Sequence, residues 1–93
     1  MKIYKNRRAK YHPSIEVSNN SKTWKNMVVT HNPIKKKRYI ELKHNINPKD
    51  DRKCYVNKNV RNDPIRTRGD LLKKYRLTEE DLKQIEEFLN KKS

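Results

Sequence analysis

The chain has 93 residues, with 25 Lys and Arg against 11 Asp and Glu, a formal net charge of +14. That length sets a single domain, and no segment approaches the roughly 20 apolar residues that span a bilayer. The charge is lopsided: residues 1–61 hold 17 Lys and Arg against four acids (Glu16, Glu41, Asp50 and Asp51), whereas residues 62–93 hold eight against seven. A field of that sign is self-repulsive, and a polyanion relieves it by releasing condensed counterions onto Lys and Arg, so RNA or single-stranded nucleic acid is the expected partner.

Only 19 residues are Ile, Leu, Val or Phe, so the core is marginal for so charged a chain and the large aromatics must supply much of the burial. Cys54 is the sole cysteine, which excludes an intrachain disulfide and fits a reducing, cytoplasmic setting. Residues 1–13 (MKIYKNRRAKYHP) contain no apolar run of the secretory kind.

In chain order, residues 1–13 sustain no apolar period and read as a basic N-terminal arm, leaving 14–93 as one α+β domain with its sheet over about 14–61. Ser14 to Ser18 alternates apolar and polar residues with a β-branched bias, and Asn19-Asn20-Ser21 carries turn chemistry. The next strand, Thr23 to His31, places Trp24, Asn26, Val28 and Thr30 on one face and Met27 and Val29 on the other, and the two strands are expected to pair as a hairpin. Pro33 ends the second strand, the third runs from Arg38 to Lys43, His44 to Asp51 is a loop, and a fourth lies around Lys53 to Val60.

After Pro64 the apolar period changes from two to 3.6. Thr67 and Thr78 each stand three residues before an aspartate, close to a capping box, so helices are predicted over about 67–76 and 78–91. The expected architecture is α+β: a small antiparallel sheet of about four strands followed by a C-terminal helical pair. That pair is not a DNA-reading helix-turn-helix. Residues 78–90 carry five acids and one Lys, and phosphates would repel them.

The candidate nucleic-acid contacts are Arg7, Arg8, Lys10 and Tyr11 in the arm, the run Lys35, Lys36, Lys37, Arg38 and Tyr39, and Arg52, Lys53 and Lys58. Tyr11, Tyr39 and Tyr55 are the expected exposed rings for stacking on unpaired bases, and Trp24 the buried one. RNA cleavage without a metal needs a base, an acid and a cation for the phosphorane. His12, His31, Tyr55 and Arg61, with Thr30, Asn47 and Arg52, can supply all three. His12, His31, His44 and Cys54 lack paired zinc-ligand spacing, and Gly69 is the only glycine, so neither a metal, a glycine-rich phosphate loop nor a cofactor is expected.

The succession His12-Pro13, Thr30-His31, Leu42 to Asp50 (LKHNINPKD) and Tyr55-Val56 resembles a group of small basic proteins from phages and conjugative elements, over about residues 11–61. In outline the chain is also similar to barnase-type and messenger-RNA interferase ribonucleases, which implies metal-independent RNA cleavage; those enzymes place their helices before the sheet. The sequence therefore supports an RNA or single-strand binder, with two alternatives: a toxin-like ribonuclease, or a mobile-element interaction protein whose basic face meets an acidic protein groove.

Overall fold

Seven antiparallel strands and one C-terminal helix make up the computed structural model, which describes residues 1–92. The strands are β1 (Ile3–Asn6), β2 (Pro13–Asn19), β3 (Thr23–Thr30), β4 (Tyr39–Glu41), β5 (Tyr55–Asn57), β6 (Arg61–Pro64) and β7 (Arg68–Leu71), and the helix is α1 (Glu79–Lys92). Their order is β4-β5-β3-β2-β1-β7, with β6 also paired to β3. The long β3 is thus shared: Thr23 to Asn26 pair with β6, and Val29 and Thr30 with β5.

The expected hairpin is formed by β2 and β3, with a bulge at Val17 where the register passes from Glu16↔Asn26 to Ser18↔Lys25. Asn20 closes its turn by accepting from the backbone N–H groups of Lys22 and Thr23, both at 2.8 Å. The sheet is then forced to curl. β6 and β7 flank β3-β2-β1 on opposite sides, four strand spacings or about 19 Å apart if flat. Only the 3-10 turn Ile65–Thr67 joins them, and Pro64 to Arg68 spans at most about 14 Å. Thr67 of that turn accepts from Trp24 Nε1 at 3.1 Å, so the face carrying Trp24 is the one enclosed.

The two faces follow from alternation along β3. On the outer face, Ile3, Ile15 and Met27 align across β1-β2-β3, and Val29, Val56 and Ile40 across β3-β5-β4. Ile85 of α1, Leu42, Ile46 and Cys54 complete this core, and burial pushes the Cys54 thiol above its ordinary pKa. The enclosed face holds Trp24 edge-on to Tyr4, with centroids 6.0 Å apart, beside a buried polar group of Asn6, Ser14, Asn26 and Asp63.

An isolated 14-residue helix is marginal in water, so α1 depends on docking. Thr78 caps it by accepting from Asp81 N at 3.2 Å, as its spacing predicts. The Asp81 carboxylate does not fold back as a capping box would. It is buried and accepts from Lys43 N at 2.8 Å and His44 N at 3.1 Å, fastening the helix to the end of β4.

The structure corrects three expectations. Instead of about four strands and a helical pair, the fold is a seven-stranded, strand-dominated sheet with one helix. Residues 1–13 are no arm: Ile3 is 1% exposed and β1 is an interior strand of the sheet. Residues 67–76 form no helix, because Arg68–Leu71 pair as β7 with the edge of β1 that β2 leaves open. Gly69 makes that approach possible, since a Cβ there would stand 2.9 Å from the Lys5 carbonyl oxygen. β6 escaped notice because its sequence, RNDP, carries no apolar alternation; its inward residue, Asp63, faces a polar interior.

Candidate functional site

The loop between β4 and β5 is built by amide and carboxylate side chains spaced to close turns. Asn45 accepts from Asn47 N at 2.9 Å, Asn47 from Lys49 N at 3.1 Å, and Asp50 from Arg52 N at 3.0 Å, each two residues on. Asn45 Nδ2 also donates to the Arg52 carbonyl at 2.9 Å, and Ile46 is buried in the core as an anchor. Arg52 clamps Asp50 with Nε at 3.0 Å and Nη2 at 2.6 Å. These bonds hold the Asp50 carboxyl well below the usual carboxylate range.

His12 and His31 line one cleft beside this loop. The β2-β3 register pairs Ser14 with Val28, so the residues just before β2 and just after β3 emerge at the same end of the hairpin. The cleft, of about 210 Å³, is also lined by Asn45, Asn47, Asp50, Arg52 and Tyr75. His31 Nδ1 is 3.2 Å from the Lys53 carbonyl oxygen and Nε2 is 3.7 Å from Asp50 Oδ2. Of the candidate catalytic residues, the other two lie elsewhere. Tyr55 is 5% exposed, between β3 and β4, so it is not the exposed stacking ring that the sequence leads one to expect. Arg61 belongs to the enclosed face, where its Nε donates to Asp63 Oδ2 at 3.0 Å.

A larger cleft, of about 680 Å³, opens at the other end of β5. Lys35, Lys37, Arg38 and Lys58 line it together with Tyr39, Phe88, Asn57, Asn59 and Ile34. Lys36–Arg38 form an exposed 3-10 turn, and Lys58 Nζ donates to the Lys37 carbonyl at 3.1 Å. Comparison with protein-family models, curated proteins and solved structures returned no match. The site therefore rests on its own geometry.

The remaining candidates are spread around the molecule. Arg7, Arg8 and Lys10 are exposed, and Tyr11, 64% exposed, lines a separate shallow cleft with Lys5 and Arg7. Lys53 pairs with Glu41 at 3.7 Å. Tyr39 is half-buried in the large cleft, and Trp24 is fully buried as expected. Sequence reasoning missed Tyr75, which it assigned to a helix, and Phe88. Asp50 enters the sequence reading as one of four acids in residues 1–61, although the spacing Asn45-x-Asn47-x-x-Asp50 is the signal for a loop locked by its own side chains.

Asp63 gives the enclosed face a pH signature. Burial pushes its carboxyl up, but hydrogen bonds from Asn26 at 2.9 Å, from Arg61 and from Asn6 outweigh that and hold it below its ordinary value. A depressed carboxylate stabilises the fold above its unfolded pKa, near 4, and that stabilisation fades as pH falls through the folded value. Asp63→Asn should therefore melt below wild type at neutral pH and lose less on acidification to about pH 3. Thermal melts at the two pH values check this; an undiminished acid loss in the variant would assign the sensitivity to other carboxylates.

Proposed function

We propose that the protein binds single-stranded RNA, or a similar unpaired polynucleotide, through the cations of residues 1–61. The observation that carries this reading is the large cleft, which four cations line together with the rings of Tyr39 and Phe88. Cations there meet phosphates, and a ring can stack on a base only when that base is unpaired. The charge balance supports the same reading. Three of the four acids in residues 1–61 are already engaged by cations, Glu16 by Arg68, Glu41 by Lys53 and Asp50 by Arg52, so they do little to offset the lysine run. No helix among the described residues is long and apolar enough to cross a membrane.

Affinity for a single-stranded RNA is expected to fall steeply with salt, the slope of log affinity against log salt being about −0.7 per phosphate neutralised. Changing Lys35, Lys36, Lys37 and Arg38 together to Ser should reduce that slope by up to roughly 3 while shifting stability by less than about 0.5 kcal/mol, because these side chains are exposed. Fluorescence anisotropy across a salt series and a circular-dichroism melt measure both quantities. Flat affinity in the wild type would remove the polyanion and favour an acidic protein groove. Unfolding of the variant would place the run within the packed structure.

A further inference from the structure

We infer that the cleft between His12 and His31 cleaves RNA by internal attack of the ribose 2′-hydroxyl. This rests on the binding reading, since the bound strand must reach the cleft. His31 touches Lys53 and Asn57 lines the large cleft, so at most about 14 Å of chain separates the two, within the span of one oligonucleotide.

The hydrogen bonds assign the roles. The Lys53 carbonyl oxygen can only accept, so its 3.2 Å contact with His31 Nδ1 is a hydrogen bond when Nδ1 carries the proton. Neutral His31 then keeps its lone pair on Nε2, which makes Nε2 the base. Asp50 Oδ2, 3.7 Å from Nε2, stabilises the imidazolium that forms when the proton arrives. Asp50 is thus a positioning residue, itself held by Arg52. The clamp uses Arg52 Nε and Nη2, so Nη1 is left to face a phosphate oxygen. Tyr75 hydroxyl accepts from Asn47 Nδ2 at 3.5 Å, which leaves its own hydrogen to donate to a phosphate oxygen.

His12 is the acid, and an unusual backbone presents it. Lys10 and Tyr11 both take left-handed φ, 53° and 62°, a conformation that is strained for residues other than glycine. Three backbone bonds hold the turn: Tyr11 N to Asn6 O at 2.8 Å, His12 N to Ala9 O at 3.0 Å and Asn6 N to His12 O at 3.0 Å. The Asn6 side chain adds bonds from Arg8 N and Ala9 N. Strain held in place this way fixes the backbone from which His12, itself exposed, lines the cleft.

In the reaction, the 2′-oxygen bonds to phosphorus as its proton passes to His31 Nε2. The bond from phosphorus to the 5′-oxygen breaks, its electron pair leaves on that oxygen, and the His12 imidazolium supplies the proton. The products are a 2′,3′-cyclic phosphate and a 5′-hydroxyl, with no further reactant consumed. Arg52 carries the charge that develops on the non-bridging oxygens.

The test uses the whole protein, labelled single-stranded RNAs covering every dinucleotide step, and excess EDTA. Cleavage is expected to leave 2′,3′-cyclic phosphate ends and to stop where the scissile 2′-hydroxyl is replaced by hydrogen. His31→Ala and His12→Ala should each slow it about 100-fold or more, with unchanged affinity for the 2′-deoxy strand. If His31→Ala fails to fold, His31→Asn, whose amide nitrogen stands near the Nδ1 position and can still donate to the Lys53 carbonyl, is scored in its place. The charged and titratable groups lining the cleft with His31 are Asp50, Arg52, His12 and Tyr75. Asp50→Asn should lower kcat with KM and affinity for the 2′-deoxy strand unchanged, because the carboxylate beside Nε2 acts on the reaction and not on binding. A protein that binds RNA with the expected salt dependence but cleaves none overturns the catalytic inference alone, as does cleavage indifferent to both histidine substitutions. Loss of salt-dependent binding overturns the binding reading as well.

Discussion

Trp24→Ala is expected to destabilise the protein by about 3–5 kcal/mol, the usual cost of truncating a buried aromatic. Trp24 is 0% exposed, packs edge-on to Tyr4, and donates to Thr67 in the turn that joins β6 to β7. Its loss opens the enclosed face and frees the turn that keeps the sheet curled. A domain of this size has only about 5–15 kcal/mol in total, and each kcal/mol moves the melting temperature by about 4–8 °C. The variant should therefore melt 10 °C or more below wild type by circular dichroism without nucleic acid. A loss under about 1 kcal/mol would mean that the indole is not sealed inside the curl.

Asp81→Ala is expected to cost a comparable 3–5 kcal/mol, by a different route. The Asp81 carboxylate accepts two backbone N–H groups, from Lys43 and His44, and a hydrogen bond to a charged group contributes about 1.5–3 kcal/mol. Removing it strands both donors. If Asp81 acted only through the positive end of α1, the loss would be about 0.3–1 kcal/mol and would match that of exposed Glu79→Ala. Chemical denaturation of both variants separates the two cases, and hydrogen exchange at Lys43 and His44 should quicken only in Asp81→Ala. Since residues 43–53 carry Asp50 and Arg52, the same substitution should also loosen the wall of the histidine cleft.

An N-terminal arm and a helix over 67–76 stand or fall together, because β1 and β7 are partners. Taken as an arm, residues 1–13 offered β7 no partner, and Leu71, Leu72 and Tyr75 then fitted a helical stripe by default. Local pattern cannot show which edges of a sheet come together, because strand pairing joins residues far apart in the chain, as Tyr4 pairs with Leu71. Gly69 was a visible clue, but its meaning depends on the approach of Lys5.

Local chemistry was legible wherever it was self-contained. The β2-β3 hairpin, the burial of Trp24, the cap at Thr78 and the concentration of cations in residues 1–61 follow from alternation, turn residues, hydroxyl spacing and charge, none of which needs a distant partner. The histidine cleft was half legible. His12 and His31 flank a hairpin that the pattern predicts, so their approach follows from its register. Tyr75 and Asp50 could not be placed there from pattern alone, because the segment after β7 and the loop before β5 reach the cleft only through tertiary contacts such as that of Arg76 N with the Ile46 carbonyl at 2.8 Å. Composition and periodicity determined the charge distribution and those local elements that need no distant partner. The curl of the sheet, its polar interior and the company His31 keeps were decided by long-range pairing, where burial and hydrogen-bond satisfaction over the whole chain outweigh local preference.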